Sequence, residues 1–423
     1  MPVDPQYIGK DAPAALAAWA RAQGLTRFAL VCDDRTWPVL GAAVEARLAA
    51  GGAEVQVIRL AGPEVVADEE RIVEILLAAG APGDRTYLAV GSGTLCDLTR
   101  FAAHRSGRPF VALPTAPSVD AYTSMNAPLV ISGLKRTIDA AQPLAVFADL
   151  DVLCAAPPAM IAAGAGDVLG KYTALADWRL GALLWDEAID EGIVAEMDAA
   201  VDAVAGAAEG IGRGEPEAIA TLMRALLASG SAMARWHNSR PASGSEHHLS
   251  HYWEMMLLLR GAPPRLHGAK VGVATVLMAH AYARVRTLSR EAAAALLRAT
   301  PAPDAERERE AIRAGYGPIA EEVIADQGEM LPLAPGRWER LQGEILARWD
   351  AIQAIAVRVP PPEEIARLLA AAGAPVEIAG LGLSPQDLAD ALQYAHYIRS
   401  RFTIRRLQQA LGLPQALSLP PAP

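Results

Sequence analysis

The sequence predicts an α/β domain with a mainly parallel sheet, followed by an all-α domain. Three observations lead there. Short β-rich runs recur at Phe28–Cys32, Val55–Leu60, Tyr87–Val90, Phe110–Leu113 and Leu144–Ala148. Ala-rich stretches of helical length, Ala14–Gln23 and Val39–Ala50, lie before or between the early ones. That is crossover spacing, which parallel strands require. After Leu153 the strand signal stops and helical periodicity takes over.

Each element has its own signal. YLAV and FVAL are apolar throughout, as strands covered on both faces are. Leu95–His104 reads as the helix after the third run. Beyond Pro158 the helices are punctuated by Gly and Pro at 210–215, 240–245, 261–264, 301–303, 359–362 and 380–384. The composition shift places a domain boundary at 155/156, with residues 1–155 as the α/β domain and 156–423 as the helical one.

Composition excludes several function classes. The chain has 423 residues, 52% hydrophobic and 20% charged, so it is globular and long enough for two cores. Its formal net charge of −10 repels a phosphate backbone at long range, which argues against nucleic acid as a partner. The longest apolar stretch, near Val271–Ala283, is too short to span a bilayer and contains His280. Asp4 and Asp11 stand where a signal peptide carries positive charge. Cys32, Cys96 and Cys154 are far apart, which fits a reducing, cytoplasmic setting and no thiolate-held metal.

Three constellations carry chemistry. Gly91-Ser92-Gly93-Thr94 follows YLAV and precedes a helix. Glycines admit a phosphate close to the backbone, and the helix start offers unpaired N–H groups. A tight strand–helix turn explains the same residues equally well, and the full GxGxxG is missing. Next, Pro114-Thr115-Ala116-Pro117-Ser118-Val119-Asp120 follows FVAL, where open α/β sheets bind ligands. The plainer reading is a Pro-fixed turn with Asp120 as a cap. The third is a histidine cluster: of 8 histidines, five are His237, His247, His248, His251 and His267. His247 and His251 share a helix face, and His267 opens a new apolar helix after Pro263-Pro264. Neutral imidazoles suit Zn, Fe or Ni.

A metal site that does chemistry takes three protein ligands and leaves one position open. A buried carboxylate should complete the set. Asp167, in AAGAGDVLG, meets that description; the alternative is an i,i+4 ion pair with Lys171. Lysine is scarce here, limited to Lys10, Lys135, Lys171 and Lys270. Lys171 and Arg240 are candidates for a phosphate ester, each with a structural alternative.

The segments GSGTLCD, FVALPTAPSVDAYTS, FADLDVL, GAGDVLGKYTALADW, SRPASGSEHHLSH, HGAKVGV and HYIRSRFTI together resemble the sn-glycerol-1-phosphate dehydrogenase branch of the iron-containing alcohol dehydrogenase and dehydroquinate synthase superfamily. The resemblance spans residues 25 to 412. It implies a dehydroquinate-synthase-like fold, with an N-terminal dinucleotide-binding domain and a C-terminal helical domain. It implies a divalent metal (zinc, with nickel or iron as alternatives) held by Asp167, His247 and His267, with His251 beside it. Gly91, Ser92, Gly93, Thr94 and Asp97 would hold NAD or NADP, with Thr115 and Ser118 near the nicotinamide. Asp120 would face substrate. The implied reaction is hydride transfer to dihydroxyacetone phosphate, giving sn-glycerol 1-phosphate. The metal polarises the carbonyl, His251 or Asp120 relays the proton, and Lys171 and Arg240 meet the phosphate. A homo-oligomer is expected. The competing readings are a glycerol or other polyol dehydrogenase, a dehydroquinate-synthase-like cyclase, and a ligand-binding relative without turnover. Two departures stand out: Ala121 replaces a common Gly, and His248 blurs which imidazole is the ligand.

Overall fold

The computed structural model describes residues 3–62, 64–80 and 83–415. The chain divides into two compact units. The first comprises Met1–Val168, Ala199–Ser239 and Ala371–Gly373; the second comprises Leu169–Asp198, Arg240–Ala370 and Ala374–Pro423.

The first unit is built on a six-stranded sheet. Its strands are β1 (Gln6–Gly9), β2 (Arg27–Asp33), β3 (Glu54–Leu60), β4 (Thr86–Gly91), β5 (Phe110–Pro114) and β8 (Val146–Asp149), in the order β1-β8-β5-β4-β2-β3. Every pairing is parallel. The five sequence-predicted runs are the inner strands and β3, each within two residues at either end. Strands β4 and β5 are buried along their whole length, which is why YLAV and FVAL lack alternation. Phe28, Leu30, Leu88, Val90, Val111 and Phe147 share one core with Val44 and Leu48 of the crossover helix α2 (Ala42–Ala50).

Three strands carried too weak a signal to be predicted. β1 has only four residues and pairs with β8, far along the chain. β6 (Asn126–Ile131) and β7 (Leu134–Asp139) form a separate antiparallel hairpin. Its turn is Ser132-Gly133, with φ of 53° and 76°. Positive φ at both central positions matches the twist of a two-residue hairpin. Pro128 inside β6 conceals the strand in the sequence.

The remaining helices of this unit are α1 (Ala12–Ala22), α3 (Glu69–Ala79), α4 (Gly93–Arg105), α5 (Leu150–Cys154), α6 (Pro158–Leu169), α9 (Ala208–Gly212) and α10 (Pro216–Trp236). Only Leu169, the last residue of α6, belongs to the second unit. β2 pairs with β3 on one side and β4 on the other, so the crossovers reverse direction between β2 and β4. Ligands of open α/β sheets bind beyond the carboxyl ends of strands at such a reversal. The Gly91–Thr94 turn leaves β4 there.

The second unit is helical, as expected after Leu153. Its helices are α7 (Lys171–Leu184), the start of α8 (Glu191–Gly206), α11 (Ser245–Leu259), α12 (His267–Arg286), α13 (Arg290–Ala299), α14 (Ala305–Tyr316), α15 (Ala320–Ala325), α16 (Arg337–Ala347), α17 (Trp349–Arg358), α18 (Pro362–Ala371), α19 (Pro385–Tyr394) and α20 (Ile404–Ala410). Each predicted Gly/Pro break falls between helices or at a helix end. No helix among the described residues is long and apolar enough to cross a membrane.

Candidate active site

Gly91 ends β4 and Ser92 caps α4 in extended conformation, without a side-chain capping hydrogen bond. The first N–H groups of a thirteen-residue helix therefore have no side-chain acceptor from Ser92. Packing demands the first glycine and leaves little room at the second. A Cβ on Gly91 would stand 2.3 Å from Leu95 Cδ1, and one on Gly93 would stand 3.1 Å from Val119 Cγ2. The turn is tight, and the helix start it leads into carries no side-chain cap.

Asp97, one turn into α4, is tied to Arg100, whose Nη1 is 3.3 Å from its Oδ1. Burial pushes the Asp97 carboxyl up to about 7, against the pull of Arg100 and Lys135. Arg100 is fully buried and donates to the carbonyls of Ala121 (2.5 Å), Tyr122 (3.0 Å) and Asn126 (2.5 Å). It pins the chain just after Asp120.

The loop before it is equally constrained. Thr115 donates its N–H to the Gly91 carbonyl at 3.2 Å, and Tyr122 Oη donates to the Ala116 carbonyl at 2.6 Å. Thr115, Ser118 and Asp120 are all buried. Asp120 makes no side-chain cap; its Oδ2 accepts from Ser229 Oγ at 2.7 Å. Its N–H donates to Asp167 Oδ2 at 3.1 Å. Helix α6 comes so close that a Cβ on Gly164 would be 1.8 Å from the Pro117 carbonyl oxygen. Gly164 and Asp167 are three apart and share a face. The glycine that permits this approach therefore also sets Asp167 against the loop. Asp167 has no exposed surface.

In the second unit, His247 and His251 stand one turn apart on α11, and His267 is the first residue of α12. Their ring centroids lie 5.9 Å (247–251), 5.3 Å (247–267) and 5.6 Å (251–267) apart. The predicted fold-back of His267 towards the His247 face is present. His248 lies about 100° further round the helix. It is buried, and burial together with Arg401, Arg240 and Arg399 holds it well below the usual imidazole range.

The sequence reading missed Glu246. Its Oε1 is 2.7 Å from His247 Nδ1 and accepts the Gly244 N–H at 2.7 Å, while Oε2 accepts from Thr173 Oγ1 at 2.7 Å. Burial alone would raise its pKa, but the bonds from His247, Gly244 and Thr173 outweigh it and hold the group below the usual carboxylate range. An ionised Glu246 only accepts, so His247 Nδ1 carries the proton. Nε2 then presents its lone pair, as a metal ligand must. A carboxylate beside a potential ligand histidine was the available signal, in the dipeptide Glu246-His247.

Asp177 was missed as well. Fully buried, it accepts from Ser245 N–H (2.7 Å), Ser245 Oγ (2.6 Å), Tyr282 Oη (2.7 Å) and the Ile404 N–H (2.6 Å). It therefore clamps the start of α11 to α12 and α20. Burial pushes it up to about 6, with Glu246 adding to the rise.

Of the residues expected to meet phosphate, Lys171 opens α7 and is buried. Arg240 is buried too, and part of its guanidinium is bound within the fold. Its Nε and Nη2 hold Glu187 at 2.8 Å each, and Nη2 also donates to the carbonyls of Asp177 (2.7 Å) and Phe402 (3.1 Å). Arg59, within β3, pairs at 2.6 Å with Asp34, the residue that follows β2.

Residues 7–157 match the family model for iron-containing alcohol dehydrogenases. Over 408 residues the chain is 36% identical to the glycerol-1-phosphate dehydrogenase [NAD(P)+] of Geobacillus stearothermophilus, covering 96% of this chain and 92% of the relative. It is 35% identical to the enzyme of the same name from Bacillus subtilis (strain 168), covering 96% and 91%. Among solved structures, an alcohol dehydrogenase from Oenococcus oeni superposes with a TM-score of 0.62 at 15% identity, covering 95% of this chain and 94% of that one. A probable glycerol dehydrogenase from Sinorhizobium meliloti 1021 gives 0.60 at 16%, covering 96% and 95%. These structural likenesses establish the fold. The sequence relatives establish more: the chain belongs to the glycerol-1-phosphate dehydrogenase family of the iron-containing alcohol dehydrogenases.

Proposed function

We propose that this chain is an NAD(P)-dependent oxidoreductase that interconverts dihydroxyacetone phosphate and sn-glycerol 1-phosphate with a divalent metal, zinc in the first instance. Family membership at this identity over nearly the full length supports the reaction. The observation that carries the metal is the donor set. Among the described residues, the acidic, thiol and imidazole side chains able to share one cation are Asp167, His247 and His267. Their chemistry fits, with one buried carboxylate and two imidazoles, of which His247 has its lone pair oriented by Glu246.

Residues 1–155 are assigned the dinucleotide and 156–423 the metal and substrate. Gly91, Ser92, Gly93 and Thr94 are assigned the cofactor pyrophosphate, Asp97 the adjoining part of the cofactor, and Thr115 and Ser118 the nicotinamide side. A bound divalent ion supplies polarisation of a carbonyl oxygen and a bound reduced nicotinamide supplies hydride. The chain's own work is positional. The Pro114–Asp120 loop, held by Arg100 and pressed on Gly164, keeps its hydroxyls in place. Asp120 or His251 delivers the proton to the substrate oxygen, and Lys171 and Arg240 meet the phosphate. We place the enzyme in the cytoplasm as an assembly of like chains.

The test has two arms. Asp167→Ala, His247→Ala and His267→Ala are assayed singly for metal content and for turnover. Each should lose stoichiometric metal, with rates reduced by about a thousand-fold, the scale of removing one strong electrostatic contribution. Full metal occupancy with normal rates would sink the ligand set. In the second arm, reduced-cofactor absorbance is followed with dihydroxyacetone phosphate, dihydroxyacetone and glycerol. Preference for the unphosphorylated pair would make the chain a polyol dehydrogenase, and turnover without net cofactor change would make it a cyclase.

A further inference from the structure

We propose that Ser229, within α10, is a positioning residue for the Asp120 carboxylate, and that its hydroxyl sets the angle at which Asp120 meets the substrate. This rests on the reading of Asp120 as a residue that faces substrate.

Each partner forgoes a nearer one. A serine or threonine inside a helix commonly returns its hydroxyl proton to the carbonyl one turn back. Thr99, Thr221 and Thr275 do so, onto Leu95, Glu217 and Val271. Ser229 donates instead to Asp120 Oδ2 at 2.7 Å, across 109 residues of chain. A hydroxyl has one proton, so this bond excludes the local one. Asp120, for its part, stands at the cap of the turn Ala121–Thr123 without capping it. Ser229 is 1% exposed and Asp120 7%, so water does not compete for the bond.

The same stretch of α10 also holds the backbone around Asp120. Thr123 Oγ1 donates to the Leu227 carbonyl at 2.7 Å. Gly230 lacks a side chain where a Cβ would stand 2.5 Å from the Asp120 carbonyl oxygen. On its other side, the Asp120 N–H donates to Asp167 Oδ2 at 3.1 Å. The backbone of Asp120 is thus fixed by contacts that do not involve its carboxylate. What remains is rotation of the side chain, and the Ser229 hydroxyl restrains it. A group that exchanges a proton with substrate has to stand within about 2.6–3.2 Å of it and be aligned, so this rotation bears directly on the rate.

A double-mutant cycle tests the proposal on the metal-loaded enzyme. Ser229→Ala, Asp120→Ala and the double variant are compared with the unaltered protein for kcat/KM with dihydroxyacetone phosphate and for metal content. Ser229→Ala should lower kcat/KM about 10- to 100-fold, the range for one hydrogen bond to a charged group. It should keep stoichiometric metal, because the bond to Asp167 comes from the Asp120 backbone. In the Asp120→Ala background, removing the Ser229 hydroxyl should cost no more than about twofold, since a residue that acts through another loses its effect when that partner is gone. Three results would each overturn the proposal and leave the role of Asp120 standing: a normal rate for Ser229→Ala, loss of metal from it, or the same fractional loss in both backgrounds. A normal rate for Asp120→Ala would instead remove Asp120 from the reaction, and the role of Ser229 with it. If Asp120→Ala does not fold, Asp120→Asn takes its place in the cycle and is judged by the same criteria.

Discussion

Glu246 Oε1 lies 2.7 Å from Nδ1 of His247, with neither side chain appreciably exposed. The pair fixes the imidazole tautomer and raises the basicity of its other nitrogen. Glu246→Gln keeps the shape and removes the charge. The variant should bind metal about 10- to 100-fold more weakly, the usual cost of losing such a partner. Competition against a chelator of known affinity measures this; an unchanged metal affinity would show that Glu246 serves packing alone.

Lys171 is the second site to probe. It is a buried cation at the start of α7. Lys171→Ala should raise KM for dihydroxyacetone phosphate far more than for dihydroxyacetone, by about tenfold or more for one lost charged contact. Parallel changes in both constants would remove it from the phosphate's neighbourhood.

Gly164 predicts a packing cost. Since a Cβ there would meet the Pro117 carbonyl oxygen at 1.8 Å, either α6 or the Pro114–Asp120 loop must move. Gly164→Ala should lose about 1–3 kcal/mol of stability, as overpacking does. Because Asp167 Oδ2 and the Asp120 N–H meet on the same helix face, metal affinity should fall too. Urea titration and metal competition read the two effects separately. A variant as stable as the parent would contradict the close approach.

Asp97 makes a pH prediction. Its carboxyl is pushed from the ordinary 3.8 up to about 7, chiefly by burial. The folded state therefore favours the protonated form more than the unfolded state does. The stabilising contribution is complete below pH 4 and is lost as pH rises through 7. Asp97→Asn, permanently neutral, should gain on the parent between about pH 4 and 7 and hold that gain above. The gain is at most on the order of 4 kcal/mol, for roughly three pKa units. Denaturant midpoints of both proteins across that range test it, and a difference independent of pH would mean that Arg100 keeps Asp97 ionised throughout.

The strands that share the sheet's interior were legible because burial on both faces forces an unbroken apolar run, as in YLAV and FVAL. The β6–β7 hairpin was less so. Its Ser132-Gly133 turn is a recognisable signal, but Pro128 and the mixed polarity of β7 mask the flanking strands. Arg59 had no evident partner in the sequence; from β3 it meets Asp34, just past the end of the neighbouring β2.

By itself, the chain's order of residues determined the α/β-then-helical layout, the Gly91–Thr94 turn and the helical spacing that puts His247 and His251 on one face. These are local properties, set by periodicity over a few residues and by the backbone freedom of glycine. Only tertiary structure decided which polar groups are spent on one another. Arg240 is bound to Glu187, 53 residues away, and Asp177 to Ile404, 227 residues away. The reason is desolvation. A buried charge must find its partner wherever folding brings one, and that pairing depends on three-dimensional proximity, which linear spacing does not encode.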